Sequence, residues 1–284
     1  MYKSFKFRLN KILAPLSASS QQADPAKLDQ VPFLDTSKTI RLLTFNIQVG
    51  ISTSSYRHYL TRSWQHVLPN KHRQSNLKKI ADMLSDYDVV ALQEVDGGSL
   101  RSGFVNQVEY LANEGKFPYW YQQLNRNFGP VAKHSNGLLS RFRPLQVDEY
   151  SLPGLIPGRG IIVARYGKAA DPIVLVIMHL SLSDKAQKLQ LSFVAEHIRE
   201  FNHVILMGDM NTYAEKILHD SPLKDAGLVT LPGVSHTFPS WQPEKALDHI
   251  LVSRSLLVKK AGVVSFPVSD HLPIALEVKL PDDY

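Results

Sequence analysis

An acidic residue and an amide, Asp209 and Asn211, directly follow an apolar run that ends at Gly208. The run Val204–Met207 is of the kind that forms a buried strand, and glycine lets the backbone turn sharply after it. Residues two apart on an extended chain share one side, so the carboxylate and the amide could hold a hard cation or an attacking water. Taken alone, this pattern fits an Asx turn or a helix cap equally well.

Five further polar groups occupy equivalent places, each at the end of an apolar, strand-like run. They are Thr44-Phe45-Asn46, Leu92-Gln93-Glu94, Met178-His179-Leu180, Leu247-Asp248-His249 and Ser269-Asp270-His271. An ordered set of six such groups is far more specific than any one of them. We therefore expect the six strand ends to converge on one site.

This ordered set resembles the endonuclease/exonuclease/phosphatase superfamily, the deoxyribonuclease I-like metal-dependent phosphoesterases, over about residues 39–280. The stretch Asn-Gly-Leu-Leu-Ser-Arg at residues 136–141 is similar to the superfamily's Asn-Ala-Ile-Leu-Ser-Arg. The resemblance implies an α/β fold, a four-layer α/β sandwich of two packed, mostly antiparallel sheets flanked by helices. It also implies a site at the edge where the loops of both sheets meet.

The resemblance implies that a divalent cation is bound by Glu94, supported by Asn46, with Asp270 near the metal or the catalytic base. Oxygen ligands suit Mg²⁺ or Mn²⁺. A cation offsets the negative charge of a phosphate and polarises the phosphoryl oxygen. In the nuclease branches that cut at abasic sites, an acidic or amide residue follows the first Asn by two. Here that position is Gln48, a neutral side chain that supplies no second carboxylate, which leaves the number of metal ions open.

The remaining predicted roles also follow from the resemblance. Asp209 is the base that activates water, Asn211 orients that water, and His271 contacts the scissile phosphate while Asp248 holds its imidazole ring. His179 is the second imidazole, which stabilises the phosphate or protonates the leaving oxygen. Candidate phosphate contacts are Asn136 and Arg159. Each of these residues, taken singly, also fits a purely structural role.

Other hydrolytic signatures are missing from the sequence. It contains no Gly-x-Ser-x-Gly elbow, no Walker-type glycine loop and no His-Glu-x-x-His. Residues 269–271 have the types found in a catalytic triad, but three consecutive positions cannot form a relay. There are no cysteines, which excludes disulfides, thiolate nucleophiles and zinc–thiolate sites.

The sequence contains about ten strand-like segments that alternate with few helices, which favours two packed sheets with helices outside, an α/β sandwich. Helices are predicted over residues 75–85, 104–113 and 185–201. With 284 residues, of which 44% are hydrophobic, the chain is long enough for one large domain. We assign residues 1–38 to a basic tail and linker and residues 39–284 to the catalytic domain.

The formal net charge of +6 suits an anionic partner. Residues 51–81 lack acidic side chains but carry basic ones among three aromatic residues, which are Tyr56, Tyr59 and Trp64. The basic residues are Arg57, Arg62, Lys71, Arg73, Lys78 and Lys79. This segment is interpreted either as a solvated loop or as a substrate-side rim.

The N-terminus lacks the apolar core of a signal peptide, and no run approaches the ~18 apolar residues of a membrane span. We therefore expect a cytoplasmic protein. Residues 1–16 alternate basic and apolar side chains. They fit either an unstructured tail or a helix in peripheral contact with an anionic membrane.

Three functions remain open at this stage. The favoured one is a phosphodiesterase or phosphatase that acts on a lipid head group or a small phosphorylated molecule. The second is a nuclease acting on DNA or RNA, and the third is a binding module that retains the fold without catalysis. No obligate protein partner is evident.

Overall fold

A computed structural model of the protein describes residues 39–51 and 71–280. The strands in chain order are β1 (Thr39–Asn46), β2 (Val89–Asp96), β3 (Tyr119–Asn127), β4 (Lys133–Ser140), β5 (Gln146–Ser151), β6 (Gly160–Tyr166), β7 (Ile173–His179), β8 (His203–Asp209), β9 (Leu228–Thr230), β10 (Asp248–Ser253), β11 (Leu257–Val263) and β12 (Ile274–Lys279). The helices are α1 (Lys71–Leu84), α2 (Gln107–Glu114), α3 (Asp184–Ile198) and α4 (Ala214–His219). Short 3₁₀ turns lie at Gln48–Gly50 and Leu100–Ser102.

The strands form two six-stranded sheets with the orders β11-β12-β1-β2-β4-β3 and β5-β6-β7-β8-β10-β9. Each sheet has one parallel pair at its centre, β1 with β2 and β7 with β8. All other pairings are antiparallel. The predicted pair of mostly antiparallel sheets is therefore confirmed, with twelve strands in the described residues where about ten were expected.

Alternation along the strands builds three apolar layers. In β1, Ile40 and Leu42 face the second sheet, whereas Leu43 and Phe45 pack under α1 and α2. In β7 the same alternation divides the strand between the inter-sheet core and the layer under α3 and α4. Successive side chains of a strand point to opposite faces, so strands that are buried on both faces read as continuous apolar runs. The four-layer sandwich is the result.

Helix α3 covers the outer face of the second sheet. The Ser183 side chain caps its first turn by accepting a hydrogen bond from the backbone N–H of Ala186 (3.3 Å). The side chains that it buries follow helical spacing, namely Leu191, Val194 and Ile198. The helix ends at Ile198, three residues before the predicted end.

The sequence suggested that the strand ends at Gly208, but the structure shows that it does not. Strand β8 continues through Asp209, and Gly208 has a φ of +147°. A Cβ atom at this position would lie 1.9 Å from the carbonyl oxygen of Met178 in β7. Glycine is required here because the two central strands approach so closely, and the strand then carries Asp209 to the end of the sheet.

The two basic segments for which we made predictions lie largely outside the described residues. These are the tail at residues 1–38 and the aromatic, basic stretch at residues 52–70. Arg73, which we expected on an open loop, belongs to α1 and is only 4% exposed. Burial, and secondarily the Arg101 cation, lowers its pKa to about 10. No described helix is long and apolar enough to cross a membrane.

Candidate active site

Four predicted site residues lie at strand ends on the faces that the two sheets turn toward each other. Asn46 ends β1, His179 ends β7, Asp209 ends β8 and Asp248 begins β10. His179 and Asp248 are both in register with Asp209. The residues two positions away in β7, β8 and β10 belong to the inter-sheet core, namely Ile177, Met207 and Ile250. The apolar inner layer therefore becomes polar at one edge, and that polar edge is the candidate site.

Asp209 lies at the centre of this edge and is only 2% exposed. Its Oδ2 accepts a hydrogen bond from Asn46 Nδ2 (3.0 Å), which links the two sheets. Its Oδ1 accepts one from the backbone N–H of Asn211 (3.0 Å). Burial raises the pKa of Asp209 to about 7, helped by the carboxylates of Asp248 and Glu94 and opposed by His271. A carboxylate with a pKa near neutrality is suited to take a proton from water.

His271 is held by Asp248. Its Nδ1 lies 2.7 Å from Asp248 Oδ2, and the Thr237 hydroxyl donates to the same oxygen at 2.6 Å. Burial alone would lower the pKa of His271, but Asp248 and Asp209 outweigh burial and raise the pKa well above its usual value. The ring is therefore an imidazolium at neutral pH. It directs Nε2 toward Asp209 Oδ2 at 3.9 Å, which is longer than a hydrogen bond.

His179 has the opposite protonation state. Its Nε2 lies 3.5 Å from Asp209 Oδ2 and 4.0 Å from Glu94 Oε1. Burial lowers its pKa well below the usual value, and the positive charges of Arg159 and His271 lower it further. The site thus holds one charged and one neutral imidazole, both close to Asp209 Oδ2. A charged donor can bind a phosphate oxygen, whereas a neutral ring can both donate and accept.

Glu94 lies across the cleft on β2, where the register shifts between Leu92 and Val95. Its backbone is left-handed, with a φ of +53°, and its side chain is 36% exposed. This irregularity presents the carboxylate to the cleft, while Gln93 stays buried and accepts a hydrogen bond from the Thr44 hydroxyl (3.2 Å). Burial raises the pKa of Glu94, and the nearby Asp270 carboxylate raises it further.

Glu94, Asp270 and Asn46 form an oxygen-rich set that fits a hard divalent cation. The Asp270 carboxylate disfavours ionisation of Glu94, and a cation held between two such carboxylates would stabilise the pair. The Asn46 amide is close enough to hydrogen-bond Glu94, and its Oδ1 accepts a hydrogen bond from the Gln48 backbone N–H (3.1 Å). Asn46 therefore positions the carboxylates of Glu94 and Asp209, and a cation would compete with the Gln48 N–H for Oδ1.

A second group of ligand-type side chains is more tightly clustered. Asp209, Asp248 and His271 present atoms that lie within 4.8 Å of one another. Asp248 Oδ2, however, is already bonded to His271 Nδ1 and the Thr237 hydroxyl. The proton shared between the carboxylate and the ring occupies the position that a metal would need. This cluster is therefore less open to a metal ion than the oxygen atoms on the Glu94 side of the cleft.

Asn211 follows Asp209 in a left-handed conformation, with a φ of +51°. Its Nδ2 donates to the Leu180 carbonyl (3.0 Å), and its own carbonyl accepts from Gln187 Nε2 (3.0 Å). These bonds fix the loop that follows β8 and direct the backbone N–H toward Asp209. The predicted role of the Asn211 side chain is to orient water, and the second Nδ2 hydrogen would perform it. This role stays a prediction.

The two candidate phosphate contacts line a cleft of about 180 Å³ together with Glu94 and His179. Asn136 is 1% exposed, and its Nδ2 donates to Gln123 Oε1 (3.3 Å) and to the Gly160 carbonyl (3.1 Å). Because both amide hydrogens are used, Asn136 mainly holds the sheets together at the cleft. Arg159 is half-buried there. Burial lowers its pKa, opposed by the nearby charges of Glu94 and Asp209, yet arginine stays charged in proteins.

Two further residues at the site, Thr237 and His134, were not predicted from the sequence. Thr237 fixes Asp248 from a loop eleven positions earlier, and no pattern in the sequence marks it. His134 lines the same cleft and lies two residues before Asn136 on the same face of β4. Its pKa is lowered to about 4, by burial first and then by Arg101. The period of two along the strand was the signal that could have indicated His134.

A sandwich of two sheets with carboxylates, amides and imidazoles gathered at one edge defines a class of protein, the phosphoester hydrolases with a deoxyribonuclease I-like fold. The chain belongs to the Endonuclease/Exonuclease/phosphatase family, whose sequence profile it matches over residues 43–271. The predicted enzyme class, a hydrolase of phosphoester bonds, is thereby confirmed. No curated protein sequence gives a significant match to this chain.

Solved structures of similar fold include an endonuclease/exonuclease/phosphatase from Beutenbergia cavernae DSM 12333 (TM-score 0.66, 19% identity, covering 86% of this chain and 72% of that one). A mannosyl-6-phosphatase from Bacteroides thetaiotaomicron VPI-5482 gives a TM-score of 0.61 at 16% identity, covering 84% and 99% of the two chains. Sphingomyelinase C from Streptomyces griseocarneus gives 0.59 at 14% identity, also covering 84% and 99%. At these identities the likeness concerns the fold.

Proposed function

We propose that the protein hydrolyses a phosphodiester or phosphomonoester through attack of a water on phosphorus, with Asp209 as the general base. The observation that carries this proposal is that Asp209 Oδ2 lies close to two imidazoles, 3.5 Å from His179 Nε2 and 3.9 Å from His271 Nε2. Both distances exceed a good hydrogen bond, so the Nε2 atoms and Oδ2 can each bond a water or phosphate oxygen that lies beside them in the cleft.

In this mechanism Asp209, fixed by Asn46 and Asn211, takes a proton from the water. The His271 imidazolium donates from Nε2 to a phosphoryl oxygen, while Asp248 keeps the ring oriented and charged. Arg159 adds positive charge on the cleft wall. His179 is placed to hydrogen-bond the phosphate or the leaving oxygen, and binding of an anion would raise its pKa and let it supply a proton.

The cofactor of the proposed reaction is Mg²⁺ or Mn²⁺, for which Glu94, Asp270 and Asn46 supply oxygen ligands. When bound, such an ion neutralises charge on the phosphate and polarises the phosphoryl oxygen. Without a cation, Glu94 and Asp270 would repel an approaching phosphate. Metal dependence of activity is therefore part of the proposal.

For the substrate we propose a lipid head group or a small phosphorylated molecule. The cleft between Glu94, Asn136 and His179 holds only about 180 Å³, a volume suited to a phosphate with a small substituent. Nucleic acid remains the alternative predicted from the sequence. The basic, aromatic segment that favoured it lies outside the described residues.

A metal-dependent screen of the purified protein tests the proposal. Plasmid DNA, abasic duplex, phospholipids, sugar phosphates and bis(p-nitrophenyl) phosphate would be compared, with Asp209→Asn as the blank. We expect hydrolysis of the aryl diester and of a lipid or small phosphate, faster than that of DNA. Absence of hydrolysis of every substrate with either Mg²⁺ or Mn²⁺ would overturn the proposal, as would equal rates in the blank.

A further inference from the structure

A second cavity, of about 700 Å³, lies beside the catalytic cleft. Its apolar lining comes from the loop between β5 and β6 and from the loop between β7 and α3 together with the start of α3. We call it the apolar groove and define it by Leu155, Ile156, Leu182 and Leu189. These side chains are 94%, 73%, 77% and 50% exposed, respectively. Single exposed leucines are ordinary, whereas four exposed aliphatic side chains that line one cavity form a candidate binding surface.

The β5–β6 loop that carries Leu155 and Ile156 is anchored at its base and along its length. The Leu152 backbone N–H donates to the Arg159 carbonyl (2.9 Å), which closes the loop. Arg126 Nη2, from β3 of the other sheet, donates to the Pro157 carbonyl (2.6 Å). The loop is therefore held in a fixed shape that presents both aliphatic side chains to solvent.

The opposite wall is fixed in a similar way. Next to Leu182, the Ser181 backbone N–H donates to Gln190 Oε1 (2.9 Å), and the Ser181 carbonyl accepts from Gln187 Nε2 (2.8 Å). On the other side of Leu182, Ser183 caps helix α3. Both walls thus exist before any ligand binds, as is usual for small-molecule sites, which typically measure about 300–1,000 Å³.

The groove is continuous with the catalytic cleft. Arg126 and Arg159 line both cavities, and Lys185 stands on the groove wall as a third cation. An occupant that matches this surface is apolar along the leucines and anionic where the groove meets the arginines. That description fits an alkyl phosphate or a phospholipid, and it does not fit a sugar phosphate or a nucleotide.

We propose that the apolar groove binds the hydrocarbon chain of an amphiphilic phosphoester substrate whose phosphate occupies the catalytic cleft. The inference rests on the proposed phosphoesterase function and narrows its substrate class. The groove then selects substrates by chain length, and the cleft selects them by the phosphate.

Direct binding of simple alkyl phosphates tests the groove without requiring turnover. Isothermal titration calorimetry would compare ethyl phosphate with decyl phosphate, both below the critical micelle concentration and with Mg²⁺ present. Burial of one methylene is worth about 0.8 kcal/mol, or about fourfold in affinity. The groove is open on one side, so we expect decyl phosphate to bind at least ~30-fold more tightly, with a more negative heat-capacity change.

The triple variant Leu155→Ser/Ile156→Ser/Leu182→Ser should lose this chain-length dependence while it binds ethyl phosphate as the wild type does. Because all three side chains are exposed, the variant should fold, and circular dichroism would verify this. Leu257→Ser is the matched control, since Leu257 is 54% exposed on strand β11 of the other sheet. It should keep the full preference for the long chain.

Equal affinity for ethyl and decyl phosphate in the wild type would overturn the proposal. A preference that survives the triple substitution, or that arises only above the critical micelle concentration, would do so too. The results distinguish a failure of the groove proposal from a failure of the proposed catalytic function. Chain-length-dependent binding without metal-dependent hydrolysis would remove the catalytic function alone, whereas hydrolysis without chain-length dependence would remove the groove.

Discussion

At the scale of single residues, the site depends on three neighbouring groups whose environments push their pKa values apart. Burial raises the pKa of Asp209 to about 7. The adjacent carboxylates raise the pKa of His271 against the opposing effect of burial, and burial lowers that of His179. A base, a charged donor and a neutral imidazole can therefore coexist near neutral pH. Such divergence between neighbouring groups is typical of catalytic sites.

The ionisation state of Asp209 predicts how the reaction rate depends on pH on the acid side of the profile. The side chain can accept a proton only when it is ionised, so kcat/KM should rise with pH up to a midpoint at or below about 7, because a bound cation favours the carboxylate. At higher pH the rate should fall as His271 loses its proton above its raised pKa. Initial rates on bis(p-nitrophenyl) phosphate across pH would check this. A flat profile on the acid side would contradict the role of Asp209.

The convergence of several candidate site residues could be predicted, because strand ends and period-two alternation can be read from the sequence. Asn46, His179, Asp209 and Asp248 meet as expected, since each continues the inner stripe of its strand. Thr237 could not be found, because its bond to Asp248 depends on how a loop folds back over the sheet. The hydrogen bonds that occupy Asn136 were equally hidden, since Gln123 and Gly160 belong to β3 and β6.

At the scale of elements, the central pair β7 and β8 is the support on which the site depends. The two strands are parallel and in register from Ile173 with His203 to His179 with Asp209. Gly208 permits this approach, because any side chain there would meet the Met178 carbonyl. A contact that removes the space for a Cβ is invisible in a sequence, which is why we expected a turn there.

Gly208→Ala should therefore destabilise the protein. The substitution adds a Cβ 1.9 Å from a backbone oxygen at a φ of +147°, so the central strands must separate. We expect a loss of about 3 kcal/mol or more in the free energy of unfolding, measured by urea denaturation. Gly262→Ala on β11 is the control, since nothing lies within 4 Å of its added Cβ, and it should cost less than about 1 kcal/mol. Equal effects of the two substitutions would refute the argument.

Short elements and loops were predicted less well than the central strands. Helix α4 spans only Ala214–His219 and buries Ala214 and Ile217, too few positions to show helical periodicity. The exposed residues Leu155 and Ile156 lie in a loop rich in proline and glycine, where composition cannot distinguish an apolar groove from buried packing. Local patterns determine long elements, whereas the shape of loops depends on tertiary contacts.

At the scale of the whole molecule, catalytic groups from both sheets meet at one edge. Asn46 and Glu94 come from the first sheet, and His179, Asp209 and Asp248 come from the second. The Asn46–Asp209 hydrogen bond crosses between the sheets, so the site exists only when they pack correctly. Three apolar layers behind the site hold the sheets together, and the hydrogen bonds among the polar groups offset the cost of burying them.

The basic tail at residues 1–16 supplies a prediction at this scale, since a charged, amphipathic segment would add affinity for an anionic surface. Deletion of residues 1–30 should reduce sedimentation with vesicles containing phosphatidylserine, most clearly at low salt because ionic strength screens the attraction. Neutral phosphatidylcholine vesicles are the control. Unchanged sedimentation after the deletion would leave no membrane role for this segment.

The central claim is that one metal-dependent site, built on Glu94 and Asp209, hydrolyses a phosphoester. The most direct measurement is the rate of bis(p-nitrophenyl) phosphate hydrolysis by the wild type and by Asp209→Asn, after EDTA treatment and after addition of Mg²⁺ or Mn²⁺. We predict that chelation abolishes the wild-type rate, that the metal restores it, and that Asp209→Asn remains about 10²–10⁴-fold slower while still folded. Full activity after chelation, or a wild-type rate in Asp209→Asn, would contradict the account.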